Sequence, residues 1–458
     1  MENRGVKIDD DVYDKARSKG AVPARIYGNP KMHKIPRSNG EPQIRVPPLR
    51  PIVSSIGAYN YNLAKYLTGL LSPHVPMDHC AADSFTFVQD LHKVSSQNQF
   101  LVSFDVVSLF TNIPLRETIN LAVEAIFAND SSIKMSRAQL KKLFYFATSE
   151  SHFLYNGQYY DQIDGVAMGS PLGPVLANLF MGYKEKIWLK RYKGPKVNFY
   201  RRYVDDIFCM FDSKDDAYKF LEYLNSRHDC IKFTIEEEED GKLPFLDVLI
   251  RKTVGGAFHT TTYRKSTNTG LLTNFTSFCS YSYKIGLIKT LVDRAYKINS
   301  DLQSCTLDHK FISTVLQKNL FPLVLIRRVI NEYMARVPSN NSNEIIDPDG
   351  EAPVIDKRYY KLPYLGEISP KTNRALIRLI KKCCTETIDA RFVFDTSKIG
   401  RYFSAKDPIP KSLRSHVVYH FTCTGCSTCY IGKTARHYLT CADEHVRRGQ
   451  TIKYRPYT

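Results

Sequence analysis

Three carboxylates in two apolar segments carry the chemistry to be explained. Asp105 lies within QFLVSFDVVSLF (Gln99 to Phe110), and the adjacent pair Asp205–Asp206 within NFYRRYVDDIF (Asn198 to Phe208). Both segments are rich in β-branched and aromatic residues and read as buried strands. Carboxylates brought together in such a setting repel, and each is costly to bury unless neutralised. A hard divalent cation offsets both, and magnesium is typically held by one or two carboxylates plus substrate phosphates. Two such ions can activate a 3′-hydroxyl and stabilise the leaving oxygens of an in-line displacement. Taken singly, an Asp-Asp pair is an ordinary hairpin turn and a lone strand Asp an edge residue. Order and context decide between the readings.

The chain of 458 residues carries 64 Lys and Arg against 46 Asp and Glu, a formal charge of +18. That surplus points to a polyanionic partner, of which nucleic acid is the commonest. Hydrophobic content of 43% and charged content of 24% describe a globular rather than a disordered chain. Eleven cysteines, an odd number in a chain this long, favour a reducing compartment over a disulfide scaffold. The charged N-terminus is no signal peptide, and no apolar run reaches the ~18 residues of a membrane span. The protein is expected to be soluble and intracellular, in the nucleus or in nucleus and cytoplasm.

These residues need elements to position them. Tyr27 to Ser54 is dense in Pro, Lys and Arg and reads as extended strand or loop. The stretch from about Leu115 to Ala147 has helical periodicity. GVAMGSPLGPVLANLFMGYKEKIWLKRY reads as a Gly/Pro-rich loop feeding a long helix, and NFYRRYVDDIF as strand, turn, strand. GLIKTLVDRAYKINS through LVLIRRVINEYMARV reads as helical and basic. VPSNNSNEIIDPDGEAPVIDK is a linker by composition.

In order along the chain, YGNPKMHK, LRPIVSS, LVSFDVVSLFTNIP, GVAMGSPLGPVLANLFM, YRRYVDDIF, KLPFLDVLI and TTYRKSTNT resemble the motif series of reverse transcriptases, within them the group encoded by Penelope-like retroelements. The resemblance covers roughly residues 25 to 300. It implies that Asp105 and Asp205 are ligands of Mg²⁺ or Mn²⁺, with Asp206 completing the catalytic triad. It implies that Lys31, with Lys34 as its rival, and Arg50 contact the incoming triphosphate, as their charge and donor geometry suit. Phe110 takes the bulky position that excludes a ribose 2′-hydroxyl. Gly169, before the Ser170-Pro171 turn, belongs to the loop that lets the template-primer backbone approach; Met168 stands where many relatives have Gln. Lys232 is a weaker candidate for a general acid. Tyr263-Arg264-Lys265 resembles the segment gripping the primer, and the helices to Arg336 a thumb.

Near the C-terminus, CTGCSTC supplies Cys423, Cys426 and Cys429 at a spacing that fits thiolates around zinc. Cys441, His420 and His437 are the candidates for a fourth ligand; free thiols are the other reading. The surrounding VVYHFTC…CYIGKTARHYLT…EH resembles a GIY-YIG endonuclease core. On that resemblance Tyr419 and Tyr430 stand in the two half-motifs and His445 in a later position. Cys441 occupies the place of an essential Arg, Arg436 comes too early to replace it, and the chain stops at Thr458 before the metal-binding Glu. The piece is expected to be a truncated, inactive nuclease.

The expected architecture is therefore α+β: a right-hand polymerase of fingers and antiparallel-sheet palm (residues 1–285) and helical thumb (286–340). A linker region (341–410) and a partial GIY-YIG α/β domain (411–458) follow. Expected partners are an RNA template, a DNA primer and deoxynucleoside triphosphates, without a membrane. A catalytically silent nucleic-acid-binding remnant is the alternative function, and an RNA-dependent RNA polymerase a third that Phe110 argues against.

Overall fold

The computed structural model describes residues 10–18, 21–31, 47–95, 99–130, 132–149, 151–340, 356–383, 388–396, 398, 408–423, 428–447 and 452–456. The chain divides into two compact units. One comprises Met1–Asp83, Asn98–Leu243 and Ser404–Thr458; the other comprises Ser84–Gln97 and Pro244–Phe403.

The first eight strands of the first unit are, in chain order, β1 (Ala24–Pro30), β2 (Leu49–Ser54), β3 (Phe100–Val106), β4 (Phe153–Tyr155), β5 (Gln158–Tyr160), β6 (Phe199–Tyr203), β7 (Asp206–Phe211) and β8 (Phe233–Glu237). They form two four-stranded sheets, ordered β2-β1-β4-β5 and β6-β7-β3-β8. The second is antiparallel throughout, with Asp105 opposite Asp206 in the β3–β7 register. Its two central strands are nearly continuous in apolar residues, and Ile207 to Phe211 are buried without alternation. That pattern requires cover on both faces. Helices Tyr61–Leu71, Leu115–Asn129, Arg137–Thr148, Leu172–Arg191 and Lys214–Asn225 supply apolar faces to one core with the sheet. Phe104, Phe211 and Phe220 meet there at centroid separations of 5.5–6.4 Å. Burying each such ring contributes roughly 1.5–3 kcal/mol. Local signals fix the element ends. Ser136 and Gln139 form a reciprocal capping box, and Asn156-Gly157, both at positive φ, close the β4–β5 hairpin.

The C-terminal segment of this unit is a three-stranded antiparallel sheet with Val417–Cys423 between Cys429–Thr434 and Ile452–Pro456, plus helix Tyr438–Arg447.

The second unit contains the hairpin Val248–Lys252/Phe258–Thr262 and helices Tyr281–Ile298, Leu302–Lys318 and Leu323–Asn340. The helices pack through Ile288, Val292, Ile312, Leu316, Phe321, Ile326 and Val329. Asn319 fixes the approach to them: its side chain accepts from the Leu272 N–H and donates to the Gly270 carbonyl. The division between the two units falls at Leu243/Pro244. The expected linker, 341–410, holds a β-α-β unit: strands Asp356–Pro363 and Ile388–Asp395 pair in parallel, joined through helix Ile368–Cys383. Its strands are highly charged and its pairing spans some thirty residues, so local composition concealed it. Among the described residues no helix is long and apolar enough to cross a membrane.

Candidate active site

The sequence YVDD folds as a two-residue hairpin loop, with Tyr203 paired to Asp206 and Val204-Asp205 between them. Val204 has φ +57°, a conformation that a β-branched residue reaches only at a cost of about 1–3 kcal/mol. Asp205 follows without a positive φ, which gives the φ signs of a type II′ turn. Glycine is the usual occupant of the strained position. Such a turn persists only where surroundings over-determine it.

Those surroundings centre on Arg202. This side chain is 0% exposed. Its Nε donates to Glu185 Oε1 at 2.7 Å, its Nη1 to Asn178 Oδ1 at 2.8 Å and to the Val204 carbonyl at 3.0 Å, and its Nη2 to Cys80 Sγ at 3.2 Å. Tyr200 Oη donates to the same Glu185 oxygen at 2.5 Å. Burial opposes the charge on Arg202, but the Glu185 carboxylate and Cys80 outweigh it and hold its pKa above the ordinary value. Burial, with Glu185 beside it, pushes the Tyr200 hydroxyl well up. The Arg202 backbone is held as well, its N–H donating to His79 O and its carbonyl accepting from Ala81 N–H, both at 2.8 Å. Arg202 is a buried clamp on the turn of the acids. The available signal was Glu185 among the apolar residues of Leu172–Arg191, a buried carboxylate that requires a cation.

The carboxylates then take defined places. Asp105 and Asp206 are directly opposed, and opposed antiparallel residues present side chains on one face. Asp205 occupies the second loop position, and its carbonyl accepts from Val106 N–H at 3.0 Å. Asp105 is exposed while Asp205 and Asp206 are half-buried, which corrects the expectation that Asp105 is enclosed. The strand is apolar because its other residues are covered; Asp105 stands where the sheet face opens. Among the described residues no group of three His, Cys, Asp or Glu side chains is arranged to hold a metal on its own. The donor set still fits magnesium or manganese: hard carboxylate oxygens on an accessible face, leaving further positions for water and phosphate.

Gly169 (φ +122°) lies where a Cβ would meet the Val53 carbonyl oxygen at 2.2 Å. The loop before Leu172–Arg191 is bonded to β2 by Val53 N–H to Met168 O at 2.8 Å and Ser55 Oγ to Gly169 O at 2.7 Å. The close approach that demands glycine among the described residues is thus to Val53. Phe110 is half-buried, its ring 3.8 Å from the Cβ position of Gly173. Arg50 is exposed on β2 opposite Asn29, and Lys31 N–H donates to Pro48 O at 2.9 Å. Lys34 falls outside the described residues. Lys232 is exposed, and its Nζ donates to the carbonyls of Asn225 (2.8 Å) and His228 (3.2 Å), capping helix Lys214–Asn225.

At the C-terminal piece, Tyr419 is buried with its ring 6.2 Å from that of exposed Tyr430. Burial and a hydrogen bond with Cys441 raise its hydroxyl pKa. Gly432 is required opposite it, since a Cβ there would lie 2.5 Å from the Tyr419 ring. Arg436 is held by Glu444 through two bonds of 2.5 and 2.7 Å, and His437 Nε2 lies 2.7 Å from Ala21 O. Cys429 is exposed at a strand start and Cys423 ends the paired strand; Cys426 falls outside the described residues. His445 belongs to helix Tyr438–Arg447.

Residues 47–238 match the family model described as reverse transcriptase (RNA-dependent DNA polymerase). That match covers less than half of the chain. Residues 271–331 match a second model, the animal helix-turn-helix domain. No curated protein matches the chain. Similar solved structures include telomerase from Candida albicans in complex with a telomeric RNA fragment (10% identity, 74% of this chain and 63% of that one, TM-score 0.48). Apo telomerase from Candida tropicalis (13%, 70% and 59%, 0.42) and the Sicinivirus 3Dpol RNA-dependent RNA polymerase (13%, 71% and 71%, 0.45) are others. The chain spans less than two thirds of the length of those telomerases.

Proposed function

We propose that this chain is an RNA-directed DNA polymerase of the Penelope-like kind, extending a 3′-hydroxyl on an RNA template with deoxynucleoside triphosphates. The observation that carries this reading is the pairing of Asp105 with Asp206, with Asp205 in the adjoining turn, inside the residues that match the reverse transcriptase model. The motif series from Tyr27 to Thr269 and the Tyr-bearing C-terminal sheet support the Penelope-like assignment.

Asp105, Asp205 and Asp206 would hold magnesium or manganese. Bound there, the cation supplies the positive charge that favours a 3′-alkoxide and the departing pyrophosphate. The chain's own residues do the positioning. Arg202 fixes the turn that presents Asp205 and Asp206, and Gly169 lets the loop lie on β2. Arg50 and Lys31 offer cations to the triphosphate. Phe110 bounds the sugar position and disfavours a 2′-hydroxyl. The C-terminal piece acts as no nuclease on this reading: Cys441 is buried against Tyr419, and Arg436 is committed to Glu444.

Primer extension on a defined RNA template tests the proposal, comparing the chain with Asp205→Asn and Asp105→Asn. Extension lost in both variants supports it; equal extension in all three removes it.

A further inference from the structure

The β-α-β unit at 356–395 has a crossover helix with an uneven distribution of charge. Ile368–Cys383 (ISPKTNRALIRLIKKC) contains Lys371, Arg374, Arg378, Lys381 and Lys382 and no acidic residue. At 100° per residue these five side chains fall within an arc of roughly 100° and span about 17 Å along the axis. All five are exposed, whereas Leu376, Ile377 and Ile380 around the rest of the helix are half-buried. Among the described residues none of the five is paired with a carboxylate. The contrast within the unit is informative, because two of the strand cations are paired: Lys361 with Asp395 at 3.0 Å and Arg391 with Asp389 at 2.9 Å. A helix stabilised by its own charges would alternate sign at i,i+4; this one repeats a single sign, at a cost in self-repulsion.

We propose that this stripe docks on the phosphate backbone of a nucleic-acid duplex. Charge complementarity selects a polyanion. The absence of aromatic residues on the helix argues for backbone contact rather than base stacking, which single-strand sites rely on. A straight row of fixed cations suits a regular, stiff phosphate array. That the duplex is an RNA–DNA hybrid rests on the polymerase reading, since a hybrid is what copying RNA produces. The surface lies outside the residues that match the reverse transcriptase model and is a separate contact.

The test is binding of a labelled 20-base-pair RNA–DNA hybrid to the full chain across a salt series, beside the variant with Lys371, Arg374, Arg378, Lys381 and Lys382 all changed to Gln. Each phosphate contact contributes about 0.9 to the slope of log K against log salt. The five-fold variant is expected to lose roughly 4–5 from that slope and at least tenfold in affinity. The double variant Lys371→Gln/Arg374→Gln is expected to lose about 2, which keeps the test valid if the larger change disturbs folding. An unchanged slope in both overturns the proposal. So does a loss confined to anionic phosphatidylserine vesicles or to a single-stranded oligo-dT of equal length. Primer extension by the unmodified chain separates the two readings. Extension with an unchanged slope defeats the stripe alone; a stripe-dependent slope without extension defeats the polymerase reading and leaves the stripe standing.

Discussion

Arg202 donates to the carbonyl of Val204 at 3.0 Å, so a fully buried cation holds the residue whose strained backbone turns the chain into Asp205 and Asp206. The same guanidinium is bonded to Asn178 and Glu185 on the long helix that follows the Gly169 loop. The Val204-Asp205 turn and that helix therefore share one rigid polar node.

Removing one partner of this node leaves the other charge buried and unpaired, which costs about 3–5 kcal/mol. Arg202→Met is expected to destabilise the first unit by that amount, and Glu185→Gln by less because it keeps an acceptor. Denaturant unfolding of both variants checks the order; equal, small losses would contradict the clamp.

Val204→Gly removes the steric cost at φ +57° while freeing the turn. The expected outcome is stability unchanged or raised by up to about 1 kcal/mol, with kcat reduced more than KM is changed. Melting curves with steady-state extension kinetics separate the two effects.

Gly169→Ala would drive a Cβ into the Val53 carbonyl at 2.2 Å. Because the contact is backbone, the loop must shift, at an expected cost of about 2–3 kcal/mol or more, together with a loss of extension. Ser55→Ala, which removes only the hydroxyl bond to Gly169, is expected to cost about 1 kcal/mol.

In the second unit Asp301 caps helix Leu302–Lys318 through the Ser304 N–H and contacts His259. The backbone hydrogen bond from Ser304, then that of His259, lowers its pKa from 3.8 to about 2. A depressed carboxylate pKa contributes stability that is present above 3.8 and is lost as pH falls toward 2. Asp301→Asn, which retains a capping oxygen, should flatten the acid limb of helicity between those values. An acid limb identical in the two proteins would contradict the assignment.

Phe110→Ala is expected to raise ribonucleotide incorporation relative to deoxynucleotide, measured in competition. An unchanged ratio would remove Phe110 from the sugar-discriminating position.

What the sequence disclosed follows from how local each signal is. Asp105, Asp205 and Asp206 stand in short strands whose apolar runs and single turn are read within ten residues, and the register places Asp105 opposite Asp206. Arg202 was opaque because its partners lie 17, 24 and 122 residues away, at Glu185, Asn178 and Cys80. Lys232 reads as a free cation in sequence although the helix end it caps lies close before it, because a side chain folding back onto backbone carbonyls leaves no mark in residue type. The β-α-β unit escaped because its strands, DKRYYKLP and IDARFVFD, are polar on one face and pair in parallel across a helix. The buried Tyr419–Cys441 contact was invisible for a similar reason: it joins a strand to a helix through packing rather than spacing.

The measurement that bears most directly on the central claim is RNA-templated extension of a DNA primer by the purified chain beside Asp105→Asn, Asp205→Asn and Asp206→Asn. The account predicts magnesium- or manganese-dependent extension by the unmodified chain, and its loss in the Asp105 and Asp205 variants without loss of hybrid binding. Extension that survives all three substitutions, or its absence from the unmodified chain under conditions where the hybrid binds, would contradict it.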